Sequence, residues 1–170
     1  MINIFKVPEG TRVIRKGSIP KTVHMIVLPD GVETIEAGAF AGFRALRGVI
    51  IPSSVKTIGV AAFRDCREIR ILTIPDGIEV IEDYTFYGCF NLRLVNIPGR
   101  VKRIGKSAFA KCMRLKQVDI PDTVTEIDDA AFAACANLMT NIPESVKRIG
   151  KLAFACCPYV KTNGPGTVAE

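Results

Sequence analysis

The side chains of this sequence that are best suited to chemistry are six cysteines and one histidine, His24. Cysteine with histidine can form a nucleophile, and four such groups that converge at about 2.0–2.3 Å can hold zinc. The spacing opposes both functions, because five of the cysteines recur along the chain, the first about two repeats beyond His24: Cys66, Cys89, Cys112, Cys135 and Cys157. Side chains spread along a repeat axis cannot converge on one metal ion. We therefore expect no metal site, no cofactor and no enzymatic activity.

Two further patterns that could support catalysis are better explained as variable surface. The acidic pairs Glu82-Asp83 and Asp128-Asp129 occupy positions that other repeats fill with Gly-Val, Gly-Lys or Glu-Ala. No glycine-rich phosphate loop follows a strand, since the Gly-Pro-Gly of residues 164–166 lies in a polar tail. Neither pattern predicts an active site.

The cysteine spacing is one column of a longer repeat. Prolines that follow an aliphatic residue recur every 23 residues, and the last after 22, at Pro29, Pro52, Pro75, Pro98, Pro121 and Pro143. A phenylalanine column keeps step at Phe40, Phe63, Phe86, Phe109, Phe132 and Phe154, and an aliphatic column at Leu46, Ile69, Leu92, Leu115, Leu138 and Val160. A fixed period of this length is the signature of stacked repeats that bury their apolar faces against one another.

Each repeat divides into two elements. The segment L-x-x-V-x-I-P predicts one short strand, in which Val118 and Ile120 point inward while Gln117 and Asp119 face outward. Proline ends the strand because it lacks the N–H that a ladder needs. The segment A-F-x-x-C-x-x-L places apolar residues three apart, which predicts a short helical or 3₁₀ turn on the opposite side. The phenylalanine column is expected to be the thickest part of the core.

The unit I-P-x-x-V-x-x-I-x-x-x-A-F-x-x-C-x-x-L resembles the BspA-like, or Treponema pallidum type, leucine-rich repeat over residues 23–163. The resemblance implies a leucine-rich repeat solenoid, a right-handed superhelix with one short parallel strand and one short helical or 3₁₀ turn per repeat, and with the parallel sheet on its concave side. It also implies a cell-surface or secreted protein that takes part in adhesion and in binding host or matrix proteins. It transfers no catalytic residues, because the family has no common active site.

The two ends of the chain depart from the repeat. Residues 1–22 lack the A-F-x-x-C signature and are interpreted as a degenerate first repeat or cap, and residues 164–170 as a flexible tail. Residues 1–5 form too short an apolar stretch for a signal peptide, so a cytoplasmic location stays open beside the surface location that the resemblance implies. The sequence has no apolar run long enough to predict a membrane span.

The cysteine column is interpreted as core. Its first-repeat equivalent is Phe43, which cannot bond to sulfur, so the position favours a small or apolar buried group. We predict a reduced, buried ladder of the five cysteines. Only Cys156 is off the column, and we expect it to be exposed.

The net charge of +6 would by itself suggest nucleic acid or another polyanion as partner. The charge alternates, however, from one repeat to the next, as in the column Glu33, Lys56, Glu79, Lys102, Thr125 and Lys147. Opposite charges on adjacent turns stabilise a stack and cancel much of the field that a polyanion would feel. We therefore predict no specific nucleic-acid binding.

One column does not alternate in charge and consists of His24, Arg47, Arg70, Arg93 and Lys116, with Met139 in the last repeat. The outward strand positions beside it are apolar at Met25, Val27, Ile50, Ile71 and Leu94 and turn polar at Asn96, Gln117, Asp119 and Thr140. Arginine beside exposed apolar residues is typical of protein-binding surfaces. We predict that this face binds a protein, either a host or matrix protein or another copy of the chain. The alternatives are a solvated edge, a structural spacer or self-assembling segment, and a surface for an anionic polymer.

Overall fold

The computed structural model describes residues 2–162 and shows a parallel-strand solenoid of about seven turns. Each turn opens with a short strand, and these first strands are Ile4–Lys6, Met25–Val27, Gly48–Ile50, Ile71–Thr73, Leu94–Asn96 and Met139–Ile142, followed by Tyr159–Thr162. Turn 6 opens at Gln117, which is bridged to Leu94 on one side and Met139 on the other. We number the turns 1 to 7 by the first seven openings and count the residue before each strand with the turn that it opens, so that turn 3 begins at Arg47 and turn 4 at Arg70. Tyr159–Thr162 begins an eighth turn.

A second short strand follows in each turn, so the expectation of one strand per repeat is wrong. The second strands are Val13–Ile14, Thr34–Ile35, Thr57–Ile58, Val80–Ile81, Arg103–Ile104, Glu126–Ile127 and Arg148–Ile149. Both rows pair in parallel, for example Ile4 with Met25 and Ile14 with Ile35. The second strand is only two residues long because proline turns precede it and a chain reversal follows it.

The segment A-F-x-x-C-x-x-L is not helical, which corrects the sequence expectation. In turn 2 the amides of Ala39 and Phe43 donate to carbonyls three residues back, whereas the amides of Gly38 and Phe40 donate to the next turn. Gly38 and Gly42, both in turn 2, have φ of 63° and 75°, in the left-handed region that interrupts a helix. Apolar residues three apart therefore also fit consecutive β-turns. Every second N–H of the segment donates a hydrogen bond to the neighbouring turn.

The core is the stacked phenylalanine column, as predicted. The rings from Phe40 to Phe154 follow one another with centroids 5.0–5.5 Å apart. The strand alternation is also confirmed, because Val118 and Ile120 are buried while Gln117 and Asp119 are exposed.

The cysteine ladder lies beside the phenylalanines, with Cys66, Cys89, Cys112 and Cys135 buried as free thiols and Cys157 half-buried. Each of the five Sγ atoms donates to the carbonyl of a phenylalanine from the preceding turn, as Cys66 does to Phe40 at 3.1 Å. Burial raises the pKa of the Cys66 thiol to about 12, so the thiolate form is suppressed. Cys156 is exposed, as the sequence indicates.

The first 22 residues continue the stack rather than standing apart from it. Residues Ile4–Lys6 pair with Met25–Val27, and Val13–Ile14 pair with Thr34–Ile35. The division at residue 22 stays a prediction about the repeat signature. The predicted tail, residues 164–170, lies outside the described residues.

Candidate interaction surface

The outward side chains of the first strands form three parallel rows on one face of the solenoid, which we call the strand face. The central row, here the apolar row, contains Ile4, Met25, Gly48, Ile71, Leu94, Gln117, Met139 and Tyr159. Strand geometry places their neighbours on the opposite side, so that Leu72 and Val95 are buried while Ile71 and Leu94 are 62% and 53% exposed. The face therefore presents large apolar side chains to solvent.

Gly48 leaves a gap in the apolar row that Met25 fills. A Cβ at Gly48 would lie 3.1 Å from the Met25 Cε and 3.2 Å from its Sδ. The Met25 side chain thus lies over the glycine and is half-buried itself. The apolar surface is continuous across turns 2 and 3 in spite of the glycine.

Beside the apolar row lies the basic row, which consists of His24, Arg47, Arg70, Arg93 and Lys116. Backbone hydrogen bonds between turns align these residues: the Arg47 amide donates to the His24 carbonyl, the Arg93 amide to that of Arg70, and the Lys116 amide to that of Arg93. The three arginines and Lys116 are exposed, whereas His24 is half-buried and its Nδ1 accepts a hydrogen bond from the Asn3 amide. Within residues 2–162, none of the five makes an ion pair.

The third row lies on the other side of the apolar row, and its side chains change from apolar to polar along the solenoid axis. Val27 is half-buried and Ile50 is 57% exposed in turns 2 and 3. From turn 4 the row is polar, with Thr73, Asn96 and Asp119. All twelve predicted site residues thus lie on the strand face, as the strand pattern indicates.

Two sequence assignments on this face are wrong. Met139, expected to end the basic row, pairs with Gln117 and lies 54% exposed in the apolar row. Thr140, expected to face outward, is buried and its hydroxyl donates to the Val118 carbonyl at 2.6 Å. The cause is the 22-residue spacing of the last repeat, because the missing residue is taken from the strand and shifts its register by one.

A second register change, of two residues, extends the apolar row at the last strand, because the register partners Met139 and Tyr159 are 20 residues apart and Cys135 and Cys157 are 22 apart. Val160, expected in the aliphatic column, takes the inward strand position opposite Thr140. Tyr159 therefore points outward and is 58% exposed. Sequence reasoning missed Met139 and Tyr159. Placing the missing residue within the strand would have found Met139, whereas the repeat pattern carries no signal for Tyr159.

The second strands carry a different arrangement, in which charges are paired between turns. Arg103 contacts Asp128 of turn 6 at 2.7 Å and Glu82 of turn 4 at 3.2 Å, and Arg148 contacts Glu126 and the same Asp128. Burial alone would raise the pKa of Asp128, but the hydrogen bonds from both arginines lower it below its ordinary value. Opposite charges of adjacent turns are therefore paired on this side, and their stabilisation of the stack stays a prediction.

Among residues 2–162, no group of three His, Cys, Asp or Glu side chains is arranged to hold a metal ion. The same residues contain no helix that is long and apolar enough to cross a bilayer. The strand face is the candidate functional surface because it exposes large apolar side chains beside a basic row.

These features define the protein as a leucine-rich repeat solenoid with an exposed strand face. The family model described as BspA type leucine rich repeat region matches residues 20–139 in six copies. The chain belongs to this family, as its repeat unit indicates. Solenoids of this class generally act as non-enzymatic scaffolds that present extended binding surfaces.

Solved structures with the same fold come from several bacteria. A leucine-rich repeat protein from Bacteroides ovatus ATCC 8483 is 26% identical with a TM-score of 0.73, over 93% of this chain and 48% of that chain. A leucine-rich repeat protein from Eubacterium ventriosum ATCC 27560 is 24% identical with a TM-score of 0.76, over 97% and 45%. The T. pallidum leucine rich repeat protein is 28% identical with a TM-score of 0.68, over 88% and 87%.

The chain therefore spans about half the length of the B. ovatus and E. ventriosum proteins. A search of curated proteins found no match.

Proposed function

We propose that the protein is a non-enzymatic binding module whose strand face holds a protein partner that presents acidic groups beside apolar side chains. The observation that carries this proposal is the exposed apolar row with the basic row alongside it. Family membership supports a binding role of this kind, at the cell surface or after secretion, with a host or matrix protein as partner.

The apolar row supplies the contact area. Ile71 and Leu94 are register partners in adjacent turns, and neighbouring parallel strands lie about 4.8 Å apart. Both side chains are more than half exposed, and Ile50 of turn 3 is exposed to a similar degree. A contiguous apolar patch of this kind loses solvent-exposed surface when a partner covers it, which favours binding.

The basic row determines which charge a partner must carry to bind. The arginines of the second strands are neutralised by carboxylates of adjacent turns, whereas Arg47, Arg70 and Arg93 make no ion pair within residues 2–162. Carboxylates on the partner would complete such pairs across the interface, which favours association with acidic surfaces and selects against basic ones.

A pair of matched double variants tests the proposal. Ile71→Asp with Leu94→Asp places two carboxylates in the apolar row, and Met113→Asp with Leu152→Asp changes two exposed apolar residues on the turn side, 47% and 51% exposed. Proteins recovered from host and matrix extracts are identified for the original chain and both variants, and their affinities are then measured with purified components. A partner should bind the original chain and the turn-side variant but lose at least about tenfold in affinity for the strand-face variant. Equal binding to all three would refute the proposal.

The alternative occupant of the strand face is a second copy, which would make the chain a self-assembling segment or spacer. The same apolar row favours it, because it would be buried between two copies. Light scattering distinguishes the two: a dimer of the original chain that becomes a monomer in the Ile71→Asp, Leu94→Asp variant supports self-assembly, and a monomer in both excludes it. An anionic polymer as partner would instead require affinity that falls steeply with salt.

A further inference from the structure

Backbone hydrogen bonds join successive turns at three repeated positions on the strand side. The first lies before the first strand, where the amides of His24, Arg47, Arg93 and Lys116 donate to the preceding turn, and in turn 7 the Met139 amide, at the first residue of the strand, does so. The second lies before the second strand, at Glu33, Lys56, Lys102, Thr125 and Lys147, and the third lies after it, at Glu36, Gly59, Gly105, Asp128 and Gly150. These bonds measure 2.7–3.3 Å.

The junction between turns 3 and 4 lacks all three. The equivalent amides, Arg70, Glu79 and Glu82, make none of these bonds to turn 3 within the described residues. The strand pairs are interrupted at the same place, because neither Gly48–Ile50 and Ile71–Thr73 nor Thr57–Ile58 and Val80–Ile81 form a ladder. Both rows of strands break at one junction.

The turn side of the same junction is intact. The amides of Ala61, Phe63 and Asp65 donate to carbonyls of turn 4 at 2.8–2.9 Å, as their equivalents do in other turns. The Phe63 and Phe86 rings remain stacked at 5.5 Å, at the wide end of the range for the column. Turns 3 and 4 are thus joined on one side and open on the other.

A side-chain hydrogen bond that joins some of the other turns is also missing at this junction. The Ser54 hydroxyl ties turn 3 to turn 2 by donating to the Val32 carbonyl at 2.8 Å, and the Thr123 hydroxyl does the same for turns 6 and 5 at Val101. The equivalent residue of turn 4 is Gly77, which has no hydroxyl. The Lys56 side chain lies over it, 2.8 Å from where a Cβ would stand, and a cleft of about 420 Å³ lies between the two turns.

We propose that the junction between turns 3 and 4 is a hinge, about which turns 1–3 and turns 4–7 move as two rigid halves. The pivot is the turn side, where the backbone bonds and the phenylalanine stack persist. The strand side opens most readily here because no inter-turn backbone bond has to break. The hinge lies beneath the strand face between Ile50 and Ile71, so its opening sets the separation of these two exposed residues. The inference goes beyond the proposed function and does not depend on it.

Residual dipolar couplings of the weakly aligned, isotope-labelled chain test the hinge. Amide couplings of residues 4–66 and 71–160 are fitted to separate alignment tensors. A hinge predicts tensors that differ in magnitude or orientation between the halves. The control is a second division of residues 71–160 at the junction of turns 4 and 5, which should give matching tensors. One tensor that fits both halves within error overturns the hinge, whatever the exchange rates below.

Amide hydrogen exchange provides the local measurement. Protection factors at Arg70, Glu79 and Glu82 are expected to be at least about tenfold lower than at their bonded equivalents in turns 3 and 5. Equal protection at the three amides would show that the junction is closed in solution and would also overturn the proposal.

Discussion

Removal of one ring from the phenylalanine column should destabilise the protein strongly. Phe109 is fully buried and stacks on Phe86 at 5.2 Å and on Phe132 at 5.1 Å. Phe109→Ala therefore leaves a cavity enclosed by the Phe86 and Phe132 rings, which is not open to solvent. The expected loss in free energy of unfolding is about 3–5 kcal/mol, at the upper end because two ring pairs are lost.

The matched control is Phe154→Ala at the last ring of the column. Phe154 is 5% exposed, and within the described residues its ring stacks on Phe132 alone, at 5.3 Å. One ring pair fewer is lost, so this variant should retain at least about 1 kcal/mol more stability than Phe109→Ala.

Urea unfolding followed by far-ultraviolet circular dichroism measures both variants. A loss of about 4 kcal/mol lowers the urea midpoint by about 2 M when the m-value is about 2 kcal/mol/M. Equal losses for Phe109→Ala and Phe154→Ala, within about 0.3 kcal/mol, would refute the account of the column as a continuous stack.

Three further outcomes are expected. Asp128→Asn should cost about 1.5–3 kcal/mol at neutral pH, because it removes the charge between Arg103 and Arg148. Since the pKa of Asp128 is lowered from 3.8 in the folded protein, the contribution of its charge is lost as pH falls through the lower folded pKa, and a difference that persists in urea unfolding at about pH 2 would contradict this. With a chromogenic thiol reagent, Cys156 should react rapidly in the folded protein and all six cysteines after denaturation without reductant; a second fast thiol, or fewer than six in total, would contradict the buried reduced ladder. Gly77→Ser should slow exchange of the Glu79 amide about tenfold, because its hydroxyl can donate to the Val55 carbonyl across the open junction as Ser54 donates to Val32, whereas Gly99→Ser, at a position where a Cβ meets nothing within 4 Å, should not; equal effects of the two substitutions would refute this expectation.

The stacked fold could be predicted from the sequence because its core columns have few alternatives. Phenylalanine at a fixed period can be buried only if successive turns place the rings over one another. The turn chemistry could not be predicted in the same way, because a spacing of three fits both a helical turn and consecutive β-turns. The backbone conformation decides between the two, and it includes a φ of 55° at Ala61 and 59° at Asp65. Positive φ is uncommon for these residue types, so the sequence does not predict it.

The strand face could be predicted wherever the period was constant. Strand alternation places Ile71 and Leu94 outward without reference to any other part of the fold. At Met139 and Thr140 the prediction failed because one residue is missing from the repeat, and the sequence does not show whether the strand or the turn absorbs it. The structure shows that the strand does, which moves a methionine into the apolar row and a threonine into the core.

The distribution of charge on the folded molecule changes what the net charge of +6 implies. Counted turn by turn, basic and acidic repeats cancel, which argues against a polyanionic partner. Counted by side, the cancellation is confined to the second strands, where Arg103 and Arg148 share Asp128. On the strand face, Arg70 and Arg93 have no such carboxylate within the described residues, although they belong to turns of opposite formal charge. The charge that a partner meets is therefore that of a row and not that of a turn, and a partner with carboxylates along one edge of an apolar strip fits it best.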